Sequence, residues 1–466
     1  MIPLSLATLA QITNGTSVVA NASADIDDID SIVTDSRSLT EGDVFLALKG
    51  PNFDGHKFCQ QAKDKGCRAI IVSEQQSIDI AQVVVEDTRI ALGQIGAYIK
   101  AQVAPKTVAI TGSSGKTTVK EMVYAILSRL GNVLATNGNF NNDIGVPLTL
   151  MRLAPEHDFA VIELGANHLG EIAYTTNLTK PDVAVINNIA AAHLEGFGDL
   201  CGVARAKGEI FDGLDEAGIA IYNQDTPYAG KWLWRLEDKN VLKVSCTQAS
   251  DFYPTDVVID DNGCASFKLN TPTGASYIEL PIPGKHNVCN ALMAAAIAIQ
   301  FGATVDDIRL GLIDMVPAKG RLNVHTPKAN FKLIDDSYNA NVESVKAATE
   351  LLSNLPGKRV LVLGDMGELG KEARQYHHEV GAYAKSLNVD GLFTLGVLSQ
   401  AASHAFGENS FHFDNRANLL AQLQQYLNNE EQSISVLVKG SRSARMELVV
   451  QDVLEWQANL AAEEQA

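Results

Sequence analysis

The stretch VAITGSSGKTTVKEMV, residues 108–123, decides how the rest of the chain is read. TVAIT (107–111) is a short apolar run of the kind that forms a buried strand. TTVKEMVYAILSRL (117–130) places Val119, Val123, Ile126 and Leu130 at helical spacing, and Gly131 suits a helix end. GSSGK therefore lies between a strand and a helix N-terminus, where free backbone N–H groups and the helix dipole attract phosphate. Gly112 and Gly115 let the backbone approach an anion closely, with Ser113 and Ser114 between them. Lys116 can reach β- and γ-phosphates, and the hydroxyl of Thr117, followed by Thr118, can bind Mg²⁺. The usual phosphate-loop spacing would put a glycine at position 110, where this chain has Ile110. The loop is shorter, but its working parts remain.

Outward from this loop, the chain alternates strands with helices. Its 466 residues exceed one ordinary domain. In the first section, 1–86, SIVTDS, DVFLAL, RAIIVS and AQVVVE read as strands, and GHKFCQQAKDKG as a helix with a glycine end. DTRIALGQIGAYIKAQV reads as a connecting helix into a second section, 87–316. There TVAIT, NVLAT, FAVIEL, DVAVIN and GIAIYN recur with helices between several of them, the pattern of a mostly parallel sheet covered on both faces. FKLNTPTGASYIELPIPG is an antiparallel-looking excursion, and Thr304 with Asp307 opens a helix with a capping-box pattern. VPAKGR (316–321) reads as a hinge. In the third section, 317–466, the strands FKLIDDS, KRVLVLGD, DGLFTLG and ISVLVKGS end in residues suited to a ligand crevice. The tail ANLAAEEQA reads as a frayed end or the end of a helix.

Composition narrows the class. A hydrophobic fraction of 46% with 20% charged residues supports large cores. A net charge of −18 argues against a nucleic-acid surface. No apolar run is long enough for a membrane span, and the N-terminus lacks a signal-peptide pattern. The cysteines, at 59, 67, 201, 246, 264 and 289, form no C-x-x-C pair or zinc spacing. As scattered, unpaired thiols they fit a reducing cytosol.

A phosphate loop calls for metal ligands. Glu163 ends the apolar strand FAVIE, where a carboxylate can hold Mg²⁺ directly or through water, and His193 follows the next strand. His286, Asn287 and Asn290 fall within about one helical turn, and the Asn amides suit adenine's donor–acceptor edge, although Asn287 serves equally as a helix-start cap. Asp336, at a strand end, is placed to accept from ribose hydroxyls.

At this point the residues resemble the Mur ligase family. TGSSGKTT looks like its compact ATP loop, with Ser113 where threonine is frequent. TNGNFNNDIGVPLTL (136–150) is similar to its Asn-rich substrate loop. ELGA, NIAAAHLEGFG, ARAKGEIF, GKHNVCNALMAAA and GRLNVH follow in family order. TDSRSLTEGDVFLALKGPNFDGHKF, DDSYNANVESVKAA, LGDMGELG and VKGSRSARME resemble the branch that adds D-alanyl-D-alanine, with Val342 where proline is usual.

The resemblance implies an α/β fold of three domains: a small N-terminal domain for the UDP end of the substrate, a central P-loop parallel-sheet ATPase and a C-terminal Rossmann-like domain. It implies a cytoplasmic, monomeric ligase of peptidoglycan precursor synthesis. This enzyme would use ATP to join D-alanyl-D-alanine to the tripeptide carboxylate of UDP-N-acetylmuramoyl-tripeptide through an acyl phosphate. Lys116, Thr117, Glu163 and His193 would serve phosphate and two Mg²⁺ ions, and Arg321 would meet phosphate on domain closure. Lys207 would carry a carbamate formed with CO₂ and hold the second metal. Ser36 and Arg37 would bind the UDP end, and Asn137, Asn139, Asn141 and Asn142 the sugar and peptide. Lys439, Ser441 and Arg442 would meet the dipeptide or acceptor side.

Overall fold

The computed structural model describes residues 1–18, 26–50, 52–427, 430 and 432–463. Contacts divide the chain into two compact units: 1–109 with 131–166 and 171–182, and 110–130 with 167–170 and 183–466. The last three residues of the tail lie outside the described residues; the helix Glu447–Glu463 precedes them.

The first unit opens with a five-stranded sheet. Its order is Thr16–Val18, Ala81–Val84, Ala69–Val72, Val44–Leu46, Ile32–Val33. The first pair is antiparallel and the others are parallel. Phe45, Ile70 and Val72 pack on Cys59 and Ala62 of the helix Cys59–Asp64, burying one face of the sheet. Asp87 caps the helix Thr88–Val103 by accepting from the amides of Arg89 and Ile90. Further along, Phe159–Glu163 runs parallel to Val133–Ala135 and is buried at every position. The helix begun at the phosphate loop ends at Leu127, not at the expected Gly131. Gly131 has no left-handed backbone; its lack of a side chain serves close approach to Asp158.

In the second unit, Val183–Ile186, Ile219–Asn223 and Asn240–Val244 are parallel neighbours. The expected antiparallel excursion is a three-stranded sheet of Tyr253–Ile259, Cys264–Thr271 and Gly274–Pro283. The helix His286–Gln300 follows, almost wholly buried from Asn287 to Ala298. The helix Val305–Ile313 opens with the Thr304–Asp307 capping box read from sequence.

The C-terminal section of this unit is a six-stranded sheet ordered Asn323–Lys328, Phe331–Asp336, Ile434–Lys439, Lys358–Gly364, Gly391–Leu395, Ser410–Phe413. Only the first strand is antiparallel. Ile434–Lys439 is buried throughout, and Val436 and Val438 pack with Phe331, Val360 and Met446. Parallel pairing brings the strand ends together: Asp336 stands directly beside Lys439, and Leu363 stands on its other side. Ligands of open parallel sheets bind outside that end.

One expectation fails in this unit. Cys246 and Cys289, read as unpaired thiols, are joined by a disulfide, while Cys59, Cys67, Cys201 and Cys264 are free. Their 43-residue separation hid the pairing, because only the fold brings the turn after Asn240–Val244 against the helix His286–Gln300.

Candidate active site

The phosphate loop opens the helix Lys116–Leu127. Gly115 has φ +74°, and a Cβ there would meet the side-chain amides of Asn187 and Asn290 at 2.6 Å. Only glycine fits both the backbone and the space. The Lys116 ammonium donates to the carbonyl of Gly112 within its own loop (2.8 Å).

A chain of side-chain amides pins this loop. Asn287 donates to the carbonyl of Pro283 (2.7 Å), and Asn290 donates to Asn287 Oδ1 (2.8 Å). Asn187 Nδ2 donates to Asn290 Oδ1 (3.0 Å) and to the carbonyl of Ser114 (3.0 Å). Asn188 accepts from the Ser114 amide (2.9 Å) and donates to the Ser114 carbonyl (3.0 Å). Ser113 Oγ accepts from the Ala190 amide, and the Asn341 side chain donates to the Ser113 carbonyl (3.2 Å). Buried amides held this way fix a loop because each lost partner strands a polar group. Asn287 and Asn290, expected to face adenine, both line the cavity described next and bond to each other, to the Pro283 carbonyl and to Asn187.

Ser114, Asn187, Asn188, Ala190, Asn287 and Asn290 border a cavity of ≈ 360 Å³. Its walls include Ser114, Gly115, Thr118, His286 and Arg321. Asp336 and Lys439 join them. The Arg321 guanidinium lies 4.4 Å from the Tyr338 ring centroid. Lys439 is 1% exposed and bonds Asp336, with a further bond to the Asn339 carbonyl (3.1 Å). Burial pushes the pKa of the Lys439 ammonium down, against the opposing pull of the Asp336 charge. Lys439, expected at the dipeptide side, thus lines the same cavity as the phosphate loop.

His193 has a left-handed backbone (φ 53°) and its Nδ1 lies 2.5 Å from Glu368 Oε2. The His193 partner holds the Glu368 carboxyl below the usual range. The side chain of Lys207 is buried, with Nζ 5.5 Å from the Phe197 ring centroid. Ser441 donates to the carbonyl of Asp365 (2.6 Å), and Arg442 pairs with Glu447 (3.1 Å).

In the first unit, Asn141 Nδ2 donates to Glu163 Oε1 (2.7 Å), and the Glu163 amide donates to Thr136 Oγ1 (3.0 Å). Asn142 accepts from the Gly145 amide (2.8 Å) as the next helix starts. Asn137 and Asn139 are exposed. Asn137 lines a separate cavity of ≈ 370 Å³ with Ile32, Phe140 and Arg152. Ser36 is buried; Arg37 is an exposed partner of Asp35 (2.6 Å). Neither Ser36 nor Arg37 lines that cavity.

Sequence reading passed over Asn187, Asn188, Asn341 and Glu368. The INN at the end of an apolar strand was the available signal for the first two.

A phosphate loop on a parallel-sheet ATPase core, facing a Rossmann-like section that carries Asp336 and Lys439, defines a class of nucleotide-dependent ligases. The patterns of the Mur ligase catalytic, middle and glutamate ligase domains match residues 28–110, 110–298 and 320–442, and the chain belongs to the Mur ligase family. The UDP-N-acetylmuramoyl-tripeptide–D-alanyl-D-alanine ligase of Escherichia coli is 50% identical, covering 98% of this chain and 99% of the relative. The enzyme of the same name from Haemophilus influenzae is 43% identical, covering 97% and 98%. A crystal structure of MurF from Acinetobacter baumannii superposes with a TM-score of 0.92 at 41% identity, covering 97% and 99%. The structure of MurF from Thermotoga maritima in complex with ADP matches with a TM-score of 0.84 at 28% identity, covering 94% and 98%.

Proposed function

We propose that the chain is an ATP-dependent ligase that joins D-alanyl-D-alanine to the tripeptide carboxylate of UDP-N-acetylmuramoyl-tripeptide in peptidoglycan precursor synthesis. The observation that carries this reading is 50% identity over 98% of the chain to an enzyme of that name.

In the reaction, the tripeptide carboxylate oxygen attacks the γ-phosphorus of ATP, giving an acyl phosphate and ADP. The amino nitrogen of D-alanyl-D-alanine then attacks the acyl carbon, loses a proton, and inorganic phosphate leaves. Negative charges must approach each other in the first step, so fixed positive groups lower its barrier. Loop amides and the helix N-terminus at Lys116 cradle the phosphates, and Lys116 turns from the Gly112 carbonyl to the transferring group. Asp336 accepts from ribose hydroxyls, and Arg321 approaches the phosphates from the cavity wall.

Taken singly, the oxygen donors suit magnesium. Thr117 and Glu163 offer hard oxygens at a helix start and a strand end, and His193 adds an imidazole. No group of three or more acidic, histidine or cysteine side chains gathers for a metal among the described residues. Mg²⁺ bound chiefly through water and phosphate needs no such cage. When bound, it would neutralise phosphate charge as the phosphoryl group moves.

Lys207 would carry a carbamate and hold a second ion. Its burial supports this, because CO₂ adds to the neutral amine and desolvation disfavours an ammonium. From an ordinary pKa near ~10.4, neutralising a lysine at pH 7 costs about 4.6 kcal/mol, which burial and metal must offset. Around the Asn-rich loop, the cavity at Asn137 would take part of the UDP-linked substrate. No helix among the described residues is long and apolar enough to cross a membrane, and a cytoplasmic monomer suits nucleotide-linked substrates.

The test is phosphate release from ATP across a panel of UDP-muramyl peptides, with and without D-alanyl-D-alanine. Release that needs both the tripeptide nucleotide and the dipeptide supports the ligase. Equal release without either contradicts it. The same panel identifies the third residue of the peptide, meso-diaminopimelate or lysine.

A further inference from the structure

The helix that bears Asn287 and Asn290 also bears Cys289, which lines the nucleotide cavity and is bonded to Cys246. The two Cα atoms are 5.9 Å apart, within the span a disulfide bridges. Cys246 sits in a turn organised by one carboxylate. Asp225 accepts from Ser245 Oγ (2.6 Å), the Cys246 amide (2.7 Å) and Thr247 Oγ1 (2.7 Å). The Asp225 amide in turn donates to Asn223 Oδ1 (2.8 Å), and Asn223 lines the same cavity. One covalent bond therefore ties together two walls of the cavity: the Asn223 strand end and the first turn of the helix His286–Gln300. Both cysteines are half-buried and Thr247 is exposed, so a small thiol can reach the bond.

We propose that Cys246 and Cys289 form a thiol–disulfide modification site that sets the nucleotide affinity of this cavity. The inference rests on reading the cavity as the ATP site. In a reducing compartment the pair rests as two thiols. The oxidant is a low-molecular-weight disulfide of the glutathione type. A thiolate of the pair attacks it, forming a mixed disulfide and releasing one thiolate. The second cysteine thiolate then attacks the mixed disulfide, forming the Cys246–Cys289 bond and releasing the second. Two electrons pass from the pair to the oxidant, and the two cysteine protons end on the two released thiols. The bond holds both walls in their present arrangement, so the oxidised form loses less freedom when nucleotide binds. Linkage makes the effect reciprocal: nucleotide stabilises the disulfide by the factor by which the disulfide tightens nucleotide.

The test uses the full chain equilibrated with reduced and oxidised glutathione at set ratios, with and without saturating ADP. Thiol alkylation and mass spectrometry read the bond, and calorimetry reads ADP affinity of each form. ADP should bind the oxidised form about threefold to tenfold more tightly. The glutathione ratio at half-oxidation should shift by the same factor when ADP is present. Cys246→Ser, outside the cavity wall, should keep the affinity of the reduced form and lose all dependence on glutathione. Failure of the bond to form at any ratio, equal ADP affinity in both forms, or a surviving glutathione dependence in Cys246→Ser overturns the inference. Equal binding overturns it alone, whereas absence of ADP binding in both forms also overturns the nucleotide reading.

Discussion

The pair Asp336–Lys439 offers the most quantitative test of the cavity. Lys439 is 1% exposed and Asp336 7%, and they face each other across adjacent parallel strands. Removing one partner of a buried pair leaves an uncompensated charge and costs about 3–5 kcal/mol. Here the lower end applies, because the Asn339 carbonyl still accepts from Lys439 and the cavity admits water. Asp336→Asn and Lys439→Met should each cost about 3 kcal/mol. The double variant carries neither charge and should cost about 1–3 kcal/mol, leaving a coupling of about 3–5 kcal/mol. Global unfolding is a poor readout for a chain of two compact units. Hydrogen exchange of amides in Phe331–Asp336 and Ile434–Lys439 reads the local opening instead; each single change should speed it about a hundredfold. The pH dependence has a fixed sign. Burial holds the Lys439 pKa below its ordinary 10.5, so the unfolded chain binds more protons between the two values. Opening free energy should rise as pH climbs through that window. A coupling below about 0.5 kcal/mol would refute the account of a buried, mutually dependent charge pair.

Lys116→Ala should lower ligation about 10²–10³-fold while circular dichroism stays native; near-normal turnover by the folded variant rules out its phosphate role. For Arg321→Ala, kcat should fall more than acceptor binding weakens, and steady-state kinetics showing the reverse would place Arg321 in ground-state binding. Lys207→Ala should abolish ligation yet retain ADP binding, with partial rescue by a small carboxylate. A ¹³C carbamate signal from labelled bicarbonate should vanish in the variant, and full activity there would remove the carbamate. Burial raises the Cys59 thiol to about 11, so iodoacetamide at pH 8 should spare it in the folded protein; rapid labelling would contradict its burial.

Legibility in the sequence followed physical cause. The parallel-sheet strands were readable because burial on both faces demands continuous apolar runs, as in Ala69–Val72 and Ile434–Lys439. Thr16–Val18 and Asn323–Lys328 escaped notice because both are largely exposed edge strands with no apolar run to mark them. The capping box at Thr304 was legible since all its partners lie within three residues. Gly131 misled, because glycine serves a close approach as readily as a helix end, and only the fold shows Asp158 beside it. The same limit applied to Lys439, whose setting depends on a residue 103 positions away, and to the Cys246–Cys289 bond.

The cavity also resolves an apparent conflict between a net charge of −18 and an anionic ligand. Its positive character does not come from a basic surface. It comes from the helix start at Lys116 and the Arg321 guanidinium, since the buried Lys439 is matched by Asp336, and Glu121 and Glu343 also lie on the wall. The helix start and Arg321 act over a few ångströms in a partly dry space, whereas exposed carboxylates elsewhere on the chain are screened by water and salt. Asn341 extends the arrangement: it caps the helix Val342–Ser353 and also donates to the Ser113 carbonyl. The C-terminal section thus touches the phosphate loop through the residue that starts its own first helix. A shift of that helix would be felt at the loop backbone, which gives the C-terminal section a direct mechanical link to the phosphate loop.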